Sequence, residues 1–272
     1  MLFRIEDLWN DTRANANIIS ILQGYSDPRL ERWFATNNAD IYSTDDELSP
    51  VVEKATKYLG VRQGVPMTRT EYQGYSKTSR VGIPEQGPRP VLRVAEAYFL
   101  RAEGMLRNWN MGDGTPESLY NEGIHSAWAS VLGDESGWAG TYESYINGFI
   151  NTEEGGDFDW ELFEGGFGSA PYINYRNQEY NYYIEENGKQ VGINRISVRW
   201  HDEDSPEKKL QRIITQKWIS FFPTLSSVAW TEYRRTGYPK LIPIPSDLNY
   251  SNGAIDTELQ IRRLPFTQSE YR

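Results

Sequence analysis

The sequence predicts a mostly α-helical protein, built from helical hairpins with long irregular loops and one small β-hairpin. Apolar residues recur at helical spacing in two separate stretches, whereas the stretches before and between them lose that spacing among Gly, Pro, Asn and Ser. Asn187-Gly188 lies between two alternating segments and is typical of a tight β-turn. Residues 1–272 are predicted to form a single region, with irregular excursions at 36–90 and 137–204 and helical scaffold at 91–131 and 205–237.

Composition narrows the classes of function. The net charge of -10 repels nucleic-acid phosphates and anionic lipid headgroups, so nucleic-acid binding is not expected. The chain has no cysteine and only two histidines, His125 and His201, so we expect no cofactor and no metal. Nine Trp and eighteen Tyr are more than a core of this size needs, which favours a binding protein.

The first scaffold segment predicts a helical hairpin. In its first helix Ala95, Phe99 and Ala102 fall on one side, together with Leu92 and Leu106 at its ends. The small alanines indicate a close helix–helix contact, and the glutamate that follows each of them is expected at the edge of that contact. We also expect an i,i+4 ion pair between the second of these glutamates and the arginine four residues on.

The second helix of the hairpin begins at a clear signal, with Thr115 as the N-cap and Pro116 in the first helical position. Gly123 and Ala127 are its small residues. Two amphipathic helices of this length with small residues at their crossing resemble a tetratricopeptide-type hairpin.

Similar signals mark the other helices. Asp27-Pro28 predicts the start of a short helix near the N-terminus, and Ser205-Pro206 predicts the start of a longer one with one core-facing side. A further helix is predicted over 226–236, ending at Gly237. The proline-rich stretch that follows is expected to run extended over the surface.

Two segments together identify a family resemblance: "RVAEAYFLRAEGMLR", and "KLQRIITQKWISFF" followed by "AWTEYRRTGYP". They resemble the SusD/RagB family, in which an alanine- and glutamate-rich helix belongs to a tetratricopeptide-like scaffold and a lysine-tryptophan helix precedes a Trp-x-x-x-Arg-Arg-x-Gly-Tyr-Pro motif. The resemblance covers most of 20–245. The residues that carry it are Ala95, Glu96, Ala102, Glu103, Trp218, Trp230, Arg234, Arg235, Gly237, Tyr238 and Pro239.

The resemblance implies a function. Family members are surface glycan-binding lipoproteins of the Gram-negative outer membrane that serve nutrient uptake and polysaccharide utilization. They are not enzymes, and they deliver oligosaccharide to a TonB-dependent, SusC-like transporter. Because members are about twice this length and begin with a signal and a lipidated cysteine, we expect this chain to correspond to the C-terminal half. The other half is expected to pack on the 91–131 hairpin, which would otherwise expose apolar surface.

Aromatic clusters in the two excursions are the candidate ligand-binding residues. A sugar offers an apolar C–H face and a rim of hydroxyl groups, so aromatic rings flanked by polar side chains match it. The candidates are Tyr58, Arg62, Arg69, Tyr72 and Tyr75 in the first excursion, and Trp160, Tyr172, Asn174, Tyr175, Tyr182 and Tyr183 in the second. Trp230 with its neighbouring arginines is interpreted instead as a helix docked onto the scaffold.

Two other functions remain open. Helical hairpins of this kind often bind peptides, which would place the site on the helices. A glycosidase needs only two carboxylates, and the loop from Asp157 to Glu164 offers four acidic residues among aromatic ones. Mobile loops hold such a pair poorly, which disfavours the enzyme.

Overall fold

The structure is a computed structural model. It describes residues 12–36, 58, 60, 61, 63, 72, 74–78, 90–147, 183–186, 189–192, 196–244, 249–257 and 260. Its helices are α1 (Ala16–Gly24), α2 (Arg29–Trp33), α3 (Val94–Leu106), α4 (Pro116–Leu132), α5 (Ala139–Ile146), α6 (Pro206–Ser220) and α7 (Ser226–Thr236), and its strands are β1 (Tyr183–Glu186) and β2 (Lys189–Gly192).

The mostly α-helical prediction is confirmed. The two strands pair antiparallel, with Glu186 opposite Lys189 across the predicted Asn187-Gly188 connection. Within the described part of the chain, no helix has the length and apolar character needed to cross a membrane.

Helix boundaries follow the predicted caps closely. The backbone N–H of Ser118 donates to the Thr115 hydroxyl at 3.1 Å, and the N–H of Thr115 donates to the Ser118 hydroxyl at 2.8 Å, a reciprocal capping box. α7 ends at Gly237, whose φ of 83° is a left-handed conformation that glycine adopts without strain. Helix α2 begins one residue later than predicted, although Asp27 still accepts a bond from the N–H of Arg29 at 2.9 Å.

The crossing of α3 and α4 confirms the predicted close contact. Ala95, Phe99 and Ala102 are buried on α3, and Gly123 of α4 lies directly against the Phe99 ring. A Cβ atom at Gly123 would come within 2.6 Å of that ring, so only glycine fits at the crossing. Leu92 differs from the prediction, because it precedes the first turn of α3 and is 65% exposed.

The glutamates of the repeat correct a second expectation. Glu103 does not stay at the edge of the contact but is buried, whereas Glu96 is half-buried. Burial of a carboxylate requires a partner, and the expected i,i+4 partner is present: Arg107 donates to the Glu103 carboxylate at 2.7 Å. A second partner from α7 completes the arrangement described below.

Helix α6 is the centre of the packing. It contacts α3, α4 and α7, and its residues from Arg212 to Lys217 are all buried, so it has no solvent face there. The sequence pattern predicted a single core-facing side. Burial of a charged side chain on another side of the helix is compensated by pairing, because Arg212 donates to the carboxylate of Asp204 at 2.8 Å.

Much of the aromatic surplus belongs to this core. Trp128 packs against Tyr145 with ring centroids 4.8 Å apart. The hydroxyl of Tyr120 donates to the carbonyl of Val198 at 2.7 Å, and that of Tyr25 donates to Ile196 at 2.8 Å, which fixes the chain segment before α6. Several of the eighteen tyrosines are therefore structural.

The segment after α7 is extended but not superficial. Tyr238 and Ile242 are buried, and the N–H of Ile242 donates to the side-chain oxygen of Asn17 in α1 at 2.8 Å. The expectation of a surface path is wrong, because α1 offers a polar side chain that the extended backbone can bond.

One face of α3 has no partner among the described residues. Val94 is 66% exposed and Leu100 is 43% exposed, on the side opposite the buried alanines. Val91 and Trp109 flank them and are exposed as well. Exposed apolar surface was expected on this hairpin, and this stripe is that surface.

We expect Gly123→Ala to lower the free energy of unfolding by about 2 kcal/mol, because the new methyl group would displace the buried Phe99 ring. Urea-induced unfolding would measure the loss. Gly140→Ala in α5 is the matched control: no atom lies within 4 Å of its added Cβ, so helix propensity should leave the protein equally or slightly more stable. Equal stability of the two variants would contradict the close crossing.

Candidate functional site

The Arg-Arg-x-Gly-Tyr-Pro stretch of α7 attaches this helix to α3. The guanidinium of Arg235 donates to both carboxylate oxygens of Glu103, at 2.6 and 2.7 Å, and also to Glu232 at 2.7 Å. Together with the bond from Arg107, Glu103 therefore receives two guanidinium groups. A two-point Arg–carboxylate pair fixes orientation as well as distance, so α7 has a defined position on the hairpin.

Charge around this junction is balanced by pairing. Burial raises the pKa of Glu103, but the bonds from Arg235 and Arg107 outweigh burial and lower it below its ordinary value. Lys217, almost fully buried on α6, lies 3.4 Å from the carboxylate of Glu232. These groups are thus occupied by contacts within the scaffold, which leaves Arg235 little freedom to hold an anionic ligand.

Tyr238 is held in the same way. Its hydroxyl donates to Glu207 of α6 at 2.8 Å. Burial, followed by that bond to the carboxylate, raises the pKa of Tyr238 to about 12. The phenol therefore stays protonated at neutral pH and serves as a link between α6 and the segment after α7.

Trp230 behaves differently from the rest of the motif. Its side chain is 43% exposed, and the guanidinium of Arg234 lies 4.6 Å from the centre of its ring. The interpretation of this stretch as a docked helix therefore does not extend to Trp230, whose indole borders an open cavity.

The cavity lies between the end of α6, the side of α7 that carries Ala229 and Tyr233, and the described residues within 241–244, 249–255 and 260. Its volume is about 520 Å³, within the range of small-molecule sites. Aromatic rings form much of its wall, and Tyr250 at its edge is 82% exposed. The aromatic lining residues are Trp218, Phe221, Phe222, Trp230, Tyr233 and Tyr250.

A polar loop forms one edge of the cavity. The Asn249 amide donates to the carbonyl of Ile255 at 2.7 Å and accepts a bond from the N–H of Ser251 at 3.2 Å. These bonds hold the loop closed around the positive-φ residues Asn252 and Gly253. The amide of Asn249 keeps a second N–H and a second lone pair, so it can still bond a ligand at this edge.

The predicted tyrosines of the first excursion separate into two groups. Tyr58 belongs to the core with 6% of its surface exposed, so its ring cannot act as a sugar platform, and that prediction is corrected. Tyr72 and Tyr75 are half-buried. The guanidinium of Arg13 lies 5.3 Å from the centre of the Tyr72 ring and covers part of it.

The remaining predicted ligand residues stay predictions. Tyr183 belongs to strand β1, but its side chain is not among those described. The others lie outside the described residues: Arg62, Arg69, Trp160, Tyr172, Asn174, Tyr175 and Tyr182.

Sequence reasoning missed the cavity. The family motif predicts a scaffold role for Trp218 and Trp230, and no sequence motif includes Asn249 and Tyr250, although all four line the cavity. The stretch "LNYSNG" combines an aromatic residue with polar turn formers, which is the signal that could have drawn attention to it. In the part of the chain that the structure describes, no cluster of three His, Asp or Glu side chains could hold a metal ion.

Comparison with known proteins agrees with this architecture. The family model described as "Susd and RagB outer membrane lipoprotein" matches residues 2–146 and 166–272. The chain belongs to the SusD-like family. This membership confirms the resemblance of the two motif segments and places the protein at the outer membrane.

Solved structures of SusD homologs are similar over nearly the whole chain. A chitin-binding SusD homolog from Flavobacterium johnsoniae is 33% identical with a TM-score of 0.66, and the match covers 98% of this chain and 45% of that one. A SusD homolog from Bacteroides ovatus is 31% identical with a TM-score of 0.67, covering 99% and 47%. A third, from Bacteroides vulgatus, is 32% identical with a TM-score of 0.66, covering 96% and 44%.

The chain thus spans a little under half the length of these SusD homologs. The comparison with curated proteins found no match.

We expect Glu103→Gln to lower the free energy of unfolding at neutral pH by about 2 kcal/mol. Breaking a fully buried ion pair costs roughly 3–5 kcal/mol, and the loss here should be smaller because Arg235 is 39% exposed. Folding lowers the pKa of Glu103 below its ordinary value of 4.5. The ionised carboxylate therefore stabilises the folded protein above pH 4.5, and this stabilisation is lost as the pH falls through the pKa of Glu103 in the folded state.

The difference between wild type and Glu103→Gln should therefore shrink in acid. Urea unfolding at neutral pH and near pH 3 measures it. Glu122→Gln, on the exposed side of α4, is the matched control and should change stability little at either pH. A Glu103→Gln effect that stays constant with pH would rule out the charge-paired junction.

Proposed function

We propose that this SusD-like protein binds oligosaccharide at the cell surface without cleaving it, and that the cavity beside Trp230 is a sugar-binding site. The observation that carries the proposal is the aromatic wall of that cavity, in which Trp230 and Tyr250 are exposed, with an amide-bearing loop at its edge. Aromatic faces stack on the C–H face of a sugar ring, and amides bond its hydroxyl groups. The chitin-binding homolog from Flavobacterium johnsoniae, 33% identical, supports the same class of ligand.

The two loop excursions supply further candidate contacts in this proposal. Tyr72 and Tyr75 are the members of the predicted clusters whose half-buried side chains the structure describes. Other members of the two clusters are proposed on their sequence pattern alone. The cavity is the better-defined site, because helices α6 and α7 position its aromatic residues Trp218, Trp230 and Tyr233.

Two partners complete the proposal. The bound oligosaccharide is passed to a TonB-dependent, SusC-like transporter, as family membership suggests. The exposed apolar stripe of α3, with Val94 and Leu100, packs in this proposal against the other half of the family's length, since the match covers only 45% of the homolog from Flavobacterium johnsoniae. Stacked helical hairpins bury such faces against each other.

Two rival functions find less support. A glycosidase needs a pair of carboxylates at the sugar, and the described residues that line the cavity include no aspartate or glutamate. A peptide-binding scaffold would use the hairpin, whereas the aromatic cavity among the described residues lies beside α7.

Calorimetric titration with a panel of soluble plant, host and microbial glycans tests the proposal. We expect at least one glycan to bind, and Trp230→Ala to weaken that binding about tenfold by removing one stacking ring. Tyr72→Ala tests the loop contribution in the same assay.

Trp109→Ala is the matched control, because Trp109 is also exposed, at 63%, but does not line the cavity. It should leave the affinity unchanged. No binding to any glycan by the folded protein would overturn the proposed function, whereas binding that survives Trp230→Ala would move the site away from the cavity. Release of reducing ends during incubation would favour the enzyme.

A further inference from the structure

The cavity beside Trp230 lacks charge on its described wall. Charged residues make up 24% of the chain, yet the described lining residues include no aspartate, glutamate, lysine, arginine or histidine. The polar groups at the wall are neutral amides and hydroxyls: Gln63, Ser226, Asn249, Ser251 and Gln260.

This lining sets a condition on the ligand. Moving a charged group from water against this largely apolar wall costs free energy that no charge among its described lining residues offsets. A ring that carries only hydroxyl groups also loses hydrogen bonds to water against the aromatic wall. Burial of an apolar substituent is favourable instead, since each buried methyl or methylene group adds to the free energy of binding.

We infer that the cavity takes an uncharged sugar with an apolar substituent, the simplest being an N-acetylhexosamine. The inference rests on the proposed function and specifies its ligand. The acetamido methyl group fits the aromatic wall beside Trp218 and Trp230, while the N–H and C=O of the group match the neutral amides of Asn249 and Gln260. A volume of about 520 Å³ accommodates such a ring with its substituent.

Two cations lie against the wall from outside. The Nζ of Lys217 lies 5.8 Å from the centre of the Phe221 ring, and the Arg234 guanidinium lies 4.6 Å from the centre of the Trp230 ring, although neither residue lines the cavity. Cations at these positions further disfavour a positively charged sugar. A cation there would also attract an acidic sugar, so a preference for an acidic sugar is the competing result that the experiment must distinguish.

The test compares β-1,4-linked tetrasaccharides that differ only at C2: the acetamido, hydroxyl and ammonium forms of the glucose tetramer. Calorimetry at one pH and salt concentration should give an affinity for the acetamido tetramer roughly tenfold higher than for the hydroxyl tetramer. The ammonium tetramer should show no measurable binding. In Trp230→Ala the preference for the acetamido form should disappear, whereas Trp109→Ala should keep it.

A uronic acid tetrasaccharide forms the fourth arm. Tighter binding of that ligand, of the hydroxyl form or of the ammonium form would overturn the inference. A preference for the acetamido form that survives Trp230→Ala would overturn the assignment to this cavity. If all four tetrasaccharides fail while another glycan binds, only this inference fails, because the proposed function then still holds.

Discussion

The buried carboxylate of Asp27 connects the helices on which the rest of the structure depends. It pairs with Arg29 at 2.6 Å, and neither side chain has any exposed surface. The Tyr145 hydroxyl donates to Asp27 at 2.8 Å, and Gln216 of α6 donates in turn to Tyr145 at 3.1 Å. Buried charges are tolerated only with such partners, so the α1–α2 turn, α5 and α6 must come together as a unit.

The position of α6 that results from this network determines the position of the cavity. Its middle is buried on all sides, and its C-terminal end presents Trp218 and Phe221 to the cavity. The junction between Arg235 and Glu103 then fixes α7 against α3, which leaves Trp230 facing outward. Lys217 of α6 and Arg235 of α7 pair with carboxylates within the scaffold, and the described lining of the cavity between these helices is aromatic and carries no charged side chain. The same pairing therefore fixes the two helices that form much of the wall.

Membership in the SusD-like family gives these features a common context. The alanine and glutamate repeat that introduces α3 serves two purposes: Ala95 and Ala102 allow close packing, and Glu103 receives the arginine of α7. The family motif is thus largely a set of scaffold contacts, with Trp218 and Trp230 as the members that line the cavity.

The sequence by itself determined the local structure and the family. Thr115 marks the start of α4 and Gly237 marks the end of α7, because caps act within one turn of backbone. The apolar spacing likewise identified the helix crossing at Gly123, because that spacing depends only on the local helical repeat. Only the tertiary structure decided which side chains are covered. Glu103 is buried and Trp230 exposed because of where distant segments pack, and exposure depends on those long-range contacts rather than on neighbouring residues in the chain.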